Sequence, residues 1–99
     1  MFFNNKKKIE LSDNELRIML YSLNDFRNAI LKENKYPDAV DEILPKLKNK
    51  MKVDKYDLGV MINSLSERKK ILSNENQNTT EIDDLLYKIF KLYETLQNS

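Results

Sequence analysis

The 99-residue chain contains no cysteine, no histidine and no tryptophan, and it has only one glycine and two prolines. Without cysteine or histidine, the chain cannot form a disulfide, a Cys or His zinc site, a thiol nucleophile or a Ser-His-Asp triad. It also has no imidazole to act as a general base near neutral pH. Only carboxylate, lysine or tyrosine chemistry remains, so we expect a protein without catalytic residues, metal or cofactor.

The sequence also lacks long apolar runs and a strong charge of either sign. No run approaches the roughly 20 residues that span a bilayer, and the lysines near the start follow Phe2 and Phe3 without the apolar core of a secretory signal. We therefore expect a cytoplasmic protein that does not enter a membrane. The 17 basic and 16 acidic side chains give a net charge of +1, which excludes an overall basic footprint for nucleic acid but not local patches.

Four amphipathic segments with helical periodicity make up most of the chain. A capping box at Ser12 and Glu15 predicts the start of a first helix over residues 13–34. A second helix follows Pro37, Asp54 caps a third, and a fourth covers residues 79–97. The apolar stripes of the four helices are, in order, Leu16, Met19, Leu20, Leu23, Phe26 and Ile30; Val40, Ile43, Leu44 and Leu47; Leu58, Met61, Ile62, Leu65 and Leu72; and Ile82, Leu85, Leu86, Ile89, Tyr93 and Leu96.

The sequence also indicates where the second helix ends and how the chain begins. Pro45 has no amide hydrogen and crowds the preceding turn, so we expect the helix to kink or end near Leu44, and residues 46–52 to form a basic connector. Residues 1–11 are expected to be an N-terminal arm that is either flexible or docked. Residues 12–99 then form a single helical domain.

The two halves of the chain align without a gap when Ser12 is placed on Asp54, so that the first helical hairpin, residues 12–50, matches the second, residues 54–92. Shared periodicity explains the aligned leucines but not the polar identities, so we interpret the match as a duplicated hairpin. The predicted fold is an all-α, four-helix bundle-like domain built from this repeat. The identical pairs are Leu16/Leu58, Met19/Met61, Ser22/Ser64, Leu23/Leu65, Glu33/Glu75, Asn34/Asn76, Asp41/Asp83, Leu44/Leu86 and Lys46/Lys88.

Residues 23–31, residues 36–44 and residues 54–58 together resemble small helical proteins of unassigned function from low-GC Gram-positive bacteria and their mobile elements. The resemblance covers most of residues 12–92 and carries no catalytic motif, and Pro45 departs from it. Twelve asparagines, fourteen lysines and eight isoleucines stand beside two alanines, a composition typical of AT-rich genomes. The implied origin is a low-GC bacterium or one of its phages.

Two cation–carboxylate pairs are expected at the hairpin seams. Antiparallel packing within each hairpin would bring Arg27 to Asp41 and Lys69 to Asp83, and we interpret both pairs as structural. The adjacent carboxylates at 41–42 and 83–84 are poor metal candidates, because the di-iron pattern of helical bundles requires histidine.

Candidate residues for an interaction or phosphate-binding surface are Arg27, Arg68, Lys69, Lys48, Lys52, Tyr21 and Tyr56. The basic residues near the connector are interpreted first as a solvated surface. The tyrosines belong to a class that is frequent at interface cores.

We expect a non-enzymatic interaction or regulatory protein, a homodimer, that binds or blocks a host protein through a helix face. One alternative is sequestration of a nucleotide-type signal in a pocket between subunits, where arginines and lysines hold phosphates and a tyrosine stacks on the base. Another is weak nucleic-acid binding through the lysine-rich connector.

Overall fold

The computed structural model describes residues 6–97, which form four α-helices and two short β-strands. The predicted all-α, four-helix fold is confirmed, and the strands are an addition that helical periodicity does not indicate. The elements are β1 (Lys6–Lys8), α1 (Asp13–Lys32), α2 (Asp38–Lys48), β2 (Lys52–Asp54), α3 (Lys55–Asn74) and α4 (Thr80–Gln97).

The two longest helices begin with capping boxes, of which the sequence predicts the one at Ser12 and Glu15, whereas at Asp54 it predicts a cap alone. The Ser12 hydroxyl accepts a hydrogen bond from the Glu15 amide at 3.1 Å, and the Glu15 carboxylate accepts one from the Ser12 amide at 2.9 Å. Asp54 and Asp57 exchange the same two bonds at the start of α3, at 2.8 and 3.0 Å. Each box satisfies amides that a helix N-terminus leaves without partners.

Of the two outcomes expected at Pro45, an end of the helix near Leu44 is wrong, because α2 continues through Pro45 to Lys48. A kink there stays a prediction. Proline removes one intrahelical hydrogen bond. Leu47, about half a turn later, is 4% exposed and belongs to the core, so continuing the helix buries an apolar side chain. The predicted connector over 46–52 is correspondingly shorter, since α2 includes residues 46–48 and β2 begins at Lys52.

The first three helices end with one residue in the left-handed conformation. The residue after each C-cap has a positive φ, and the next amide bonds back to a carbonyl five residues earlier, which is the pattern of a Schellman motif. The three left-handed residues are Asn34 (φ 59°), Lys50 (φ 53°) and Asn76 (φ 57°), and the closing bonds are Lys35 N to Ile30 O, 3.2 Å, Met51 N to Lys46 O, 2.8 Å, and Gln77 N to Leu72 O, 2.8 Å.

The core combines all four helices and β2. Helix α3 packs against both α1 and α4, and α2 packs against α1 and α3. Ser22 and Ser64 are buried on α1 and α3, and each hydroxyl donates to a carbonyl of its own helix. The buried apolar residues are Met19, Leu23, Val40, Ile43, Leu47, Val53, Leu58, Met61, Leu65, Ile82, Leu85, Ile89 and Leu96.

The helix boundaries keep the register of the sequence repeat in part. The starts of α1 and α3, at Asp13 and Lys55, align in that register, and so do their ends and the starts of α2 and α4. However, α4 has 18 residues and α2 has 11, so the second hairpin is longer than the first. Duplication of an ancestral hairpin stays a prediction.

Part of the N-terminal arm is docked. Strand β1 pairs antiparallel with β2, and Lys7 lies opposite Val53. Ile9 and Leu11 are half-buried against the core, which holds the segment between β1 and α1 in place. The arm's Phe2 and Phe3 lie outside the described residues. No helix within residues 6–97 has the length and apolar character needed to cross a bilayer.

Candidate functional site

Two adjoining cavities, of about 470 and 430 Å³, form a groove along α1 and α3. We call it the α1–α3 groove. Both cavities are lined by Ser22 and Arg68, so Arg68 marks the middle of the groove. The first cavity is closed at one end by the start of α4 and includes Ile18, Leu72 and Ile82. The second includes Phe26, Ile30 and Ile71 and ends near Glu33 and Lys35.

Arg68 is held in the groove by two contacts from α1. Its guanidinium carbon lies 4.7 Å from the centre of the Tyr21 ring, a cation–π contact, and its Nη1 lies 3.3 Å from Asp25 Oδ2. The Arg68 side chain is 23% exposed, whereas Tyr21 is 57% exposed. The structure therefore brings together Arg68 and Tyr21, which are two of the candidates from the sequence, and adds Asp25.

Arg17 is a groove residue that the sequence analysis missed. It lies one turn before Tyr21 and lines the first cavity with Arg68. Its Nη2 donates to the Asn14 side chain. The four-residue spacing from Tyr21 places both on one helix face and could have identified it. Glu81, at the start of α4, lines the same cavity and partly offsets the charge of the two arginines.

Arg27 and Lys69 lie in the two hairpin seams with the partners expected for them. Arg27 Nε is 2.6 Å from Asp41 Oδ1, and Lys69 Nζ is 2.8 Å from Asp83 Oδ1. Hydrogen bonds from Lys69 and from the Thr79 hydroxyl hold the pKa of Asp83 below its usual value. Both pairs are at least one-third exposed, a setting in which ion pairs typically contribute under about 1 kcal/mol. Neither cation lines the α1–α3 groove.

The remaining candidates do not line the two cavities of the groove either. Lys48 lines an open cavity of about 540 Å³ between α1 and α2, which shares Arg17 and Tyr21 with the groove. Lys52 is exposed on β2, and Tyr56 is 79% exposed in the first turn of α3. The seven candidates therefore do not form one site.

A partly buried ion pair between α2 and α3 was not predicted from the sequence. Lys46 Nζ donates to Asp57 Oδ2 at 2.8 Å, and the Asp57 side chain is 7% exposed. This bond raises the pKa of Lys46, against the opposing effect of burial. Burial raises the pKa of Asp54, but the hydrogen bonds from the Asp57 and Tyr56 amides and the nearby Lys46 charge together lower it. These contacts join the end of α2 to the cap of α3.

The groove offers binding chemistry, consisting of an apolar floor, an exposed tyrosine ring and two arginines. Within residues 6–97, no three acidic side chains are grouped so that they could hold a metal ion. In the adjacent carboxylates at 41–42 and 83–84, Asp41 forms an ion pair with Arg27, and Asp83 forms one with Lys69.

Comparison of the chain with protein-family models, curated proteins and solved structures finds no match.

Proposed function

We propose that the chain is a non-enzymatic interaction protein that binds a segment of another protein in the α1–α3 groove. The observation that carries this proposal is the groove itself, whose two cavities adjoin at Arg68. Helix α1 has 20 residues and is therefore about 30 Å long. A groove along such a helix is suited to one face of a partner helix or an extended peptide.

The exposed residues of the groove are of the types that anchor interfaces. Tyr21 is 57% exposed and Ile71 is 43% exposed, although both border the apolar interior of the groove. Tyrosine and arginine are over-represented among residues whose removal weakens an interface strongly. Arg68 is already ordered by Tyr21 and Asp25, so a partner would lose little entropy in fixing it.

The biological setting of this proposal is regulation of a host protein by a product of a low-GC bacterium or its mobile elements. It is supported by the asparagine- and lysine-rich composition of the chain. Blocking a protein surface requires no catalytic group, which agrees with a chain that lacks histidine and cysteine.

The test is affinity capture from a low-GC Gram-positive lysate followed by binding measurements with the purified captured protein. We expect one protein to bind the wild-type chain and a Tyr36→Ala control, since Tyr36 is 88% exposed outside the groove. The double variant Tyr21→Ala, Ile71→Ser should bind at least about 30-fold more weakly, the effect of losing one strong interface anchor. Equal binding by the wild type and the double variant would contradict the groove as the binding surface.

A second candidate function, binding of a nucleotide-type ligand, is favoured by the first cavity. Arg17, Arg68 and Tyr21 line a volume of about 470 Å³ within one chain, and ligand sites commonly occupy roughly 300 to 1,000 Å³. Isothermal titration with nucleoside triphosphates and with cyclic and linear dinucleotides should then give saturable binding that Arg68→Gln abolishes. Absence of heat at millimolar ligand would exclude this candidate and leave the protein-binding proposal intact.

A further inference from the structure

The antiparallel pairing of β1 and β2 gathers lysines that are far apart in the sequence. Lysines 6–8 form β1, and their partner strand carries Lys52 in a region that also includes Lys48, Lys50 and Lys55. We call this surface the basic end. Its seven lysines, all exposed, are Lys6, Lys7, Lys8, Lys48, Lys50, Lys52 and Lys55.

The pairing register contains one like-charge pair, Lys8 and Lys52, and one opposite-charge pair, Lys6 and Asp54. Lys8 lies directly across from Lys52, and such like-charge pairs destabilise an antiparallel ladder. None of the seven lysines is part of an ion pair within residues 6–97, whereas Lys46, Lys69 and Lys88 each contact a carboxylate. These seven lysines are therefore not neutralised by ion pairs within residues 6–97, although Asp54 lies opposite Lys6 in the ladder.

A cavity of about 290 Å³ shows that the arm and the end of α2 share one surface. Lys8 from the arm, and Lys46 and Lys50 from the α2 side, line this cavity together. The exposed Met51 also lines it. Lys8 of β1 and the lysines near the end of α2 therefore line the same cavity.

The near-zero net charge conceals a strong separation of charge. Residues 6–11 and 46–57 contain eight lysines against Glu10, Asp54 and Asp57, which is a net charge of +5. The rest of the chain carries −4. A polyanion would be attracted to the basic end and repelled by the remaining surface, so its orientation on the protein would be defined.

We infer that the basic end binds the phosphate backbone of single-stranded nucleic acid without reading its sequence. Lysine ammonium groups neutralise phosphates as point charges, and the patch has no arginine to read guanine edges with two bonds. Tyr56, beside Lys55 and 79% exposed, provides a ring on which a base stacks. This surface is separate from the α1–α3 groove and adds a function to the one proposed above.

The test measures fluorescence anisotropy of a labelled 20-nucleotide oligo(dT) with the full chain between 50 and 200 mM salt. If five lysines neutralise phosphates, the slope of log affinity against log salt is about −3.5 and the affinity falls about 100-fold over this range. The triple variant Lys6→Gln, Lys8→Gln, Lys52→Gln should bind more weakly and flatten the slope by about 2.

A matched triple variant separates this patch from a general effect of charge. Lys32→Gln, Lys70→Gln and Lys91→Gln remove the same charge from exposed positions outside the basic end, and we expect wild-type slope and affinity. Tyr56→Ala should weaken binding about 5- to 100-fold while leaving the slope unchanged, because stacking releases no counterions.

Three results would overturn the inference: no saturable binding at the lowest salt concentration, an equal loss in the matched triple variant, or binding to anionic vesicles but not to the oligonucleotide. The vesicles contain about two parts phosphatidylcholine to one part phosphatidylserine, and binding to them alone would reassign the basic end to a membrane surface. Because the groove variant Tyr21→Ala, Ile71→Ser leaves all of these lysines in place, it should bind the oligonucleotide normally. Failure of the groove proposal and failure of this inference are thus distinguishable.

Discussion

At the scale of single residues, the polar groups inside this small domain each have a partner. Ser22, Asp57 and Ser64 are the buried polar residues of the described chain, and no buried side-chain polar atom within residues 6–97 lacks a hydrogen bond. The two serines donate to their own helices, whereas Asp57 depends on Lys46 from α2 and the Asp54 amide. Asp57 is therefore more sensitive to change in a neighbouring helix.

Replacement of Lys46 by methionine should lower the free energy of unfolding by about 1 to 3 kcal/mol, because it leaves the Asp57 carboxylate buried with fewer partners. Urea denaturation followed by circular dichroism measures this difference. Lys48→Met is the matched control, since Lys48 is exposed and has no ion pair in the described structure; its change should stay within about 0.5 kcal/mol. Equal losses in the two variants would show that the Lys46–Asp57 bond does not contribute specifically to the free energy of unfolding.

At the scale of secondary-structure elements, helix ends are defined by backbone conformation as well as by capping side chains. Two of the three left-handed C-terminal residues are asparagines, which tolerate a positive φ comparatively well. The third is Lys50, which has no such compensation. Among the first three helices, α2 therefore has the C-terminal end with the most backbone strain.

The variant Lys50→Gly should raise the free energy of unfolding by about 0.5 to 1 kcal/mol, because glycine adopts positive φ without steric strain. Thermal and urea denaturation measure the gain. Asn34→Gly is the comparison, and a smaller gain is expected there since asparagine already suits the conformation. A loss of stability in Lys50→Gly would mean that the lysine side chain makes a contribution larger than the strain.

Carboxylates in the first turns of α1 and α4 predict an acid dependence of stability. The pKa of Glu15 is lowered, first by its bond from the Ser12 amide and then by Lys88, and the pKa of Asp83 is also lowered. Groups with lowered folded pKa values stabilise the fold above their unfolded pKa and lose that stabilisation as the pH falls through the folded value. Stability should therefore decrease from about pH 5 to about pH 3.

Urea denaturation at pH 6, 4 and 3 tests this dependence. The variant Glu15→Gln retains a side chain that can accept from the Ser12 amide but does not titrate, so its stability should fall less steeply with acid than that of the wild type. Identical pH profiles for the two proteins would contradict a stabilising role for the Glu15 charge.

At the scale of the whole molecule, the exposed apolar side chains lie on more than one surface. Ile18 and Val60, which lie outside the main apolar stripes of α1 and α3, are half-buried against the core, while Tyr21, Leu31 and Ile71 stay exposed. Helix α4 adds an aromatic surface in which Tyr87 is 67% exposed, Phe90 is 50% exposed and Phe90 stacks on Tyr93 at 6.4 Å. An apolar surface of this kind favours a symmetric contact between two chains.

We predict a homodimer through the α4 aromatic surface, with twice the 11.8 kDa mass of one chain. Light scattering coupled to size exclusion at tens of micromolar measures this mass. Tyr87→Ser with Phe90→Ser should shift the mass to that of one chain, whereas Tyr36→Ser should not, because Tyr36 lies in the segment between α1 and α2. A wild-type mass of one chain at all concentrations would contradict self-association.

The helical architecture could be predicted from the sequence because its signals are local. The capping box at Ser12, the cap at Asp54 and the apolar periodicity involve residues within one or two helical turns, and these signals persist in the folded chain. The Arg27–Asp41 and Lys69–Asp83 pairs followed from the antiparallel packing of neighbouring helices. The alternative of an early end of α2 near Leu44 was wrong because burial of Leu47 by the rest of the fold favours the last turn despite Pro45.

By itself, the sequence determined the class of the fold, its helix starts and the residue types available for chemistry, because these depend on composition and short-range spacing. Only the tertiary structure decided that Arg68 of α3 lies over Tyr21 of α1, and that β1 places Lys8 opposite Lys52. Both juxtapositions join segments from distant parts of the chain, and no local pattern specifies which exposed side chains will meet. The groove and the basic end are therefore products of packing between elements.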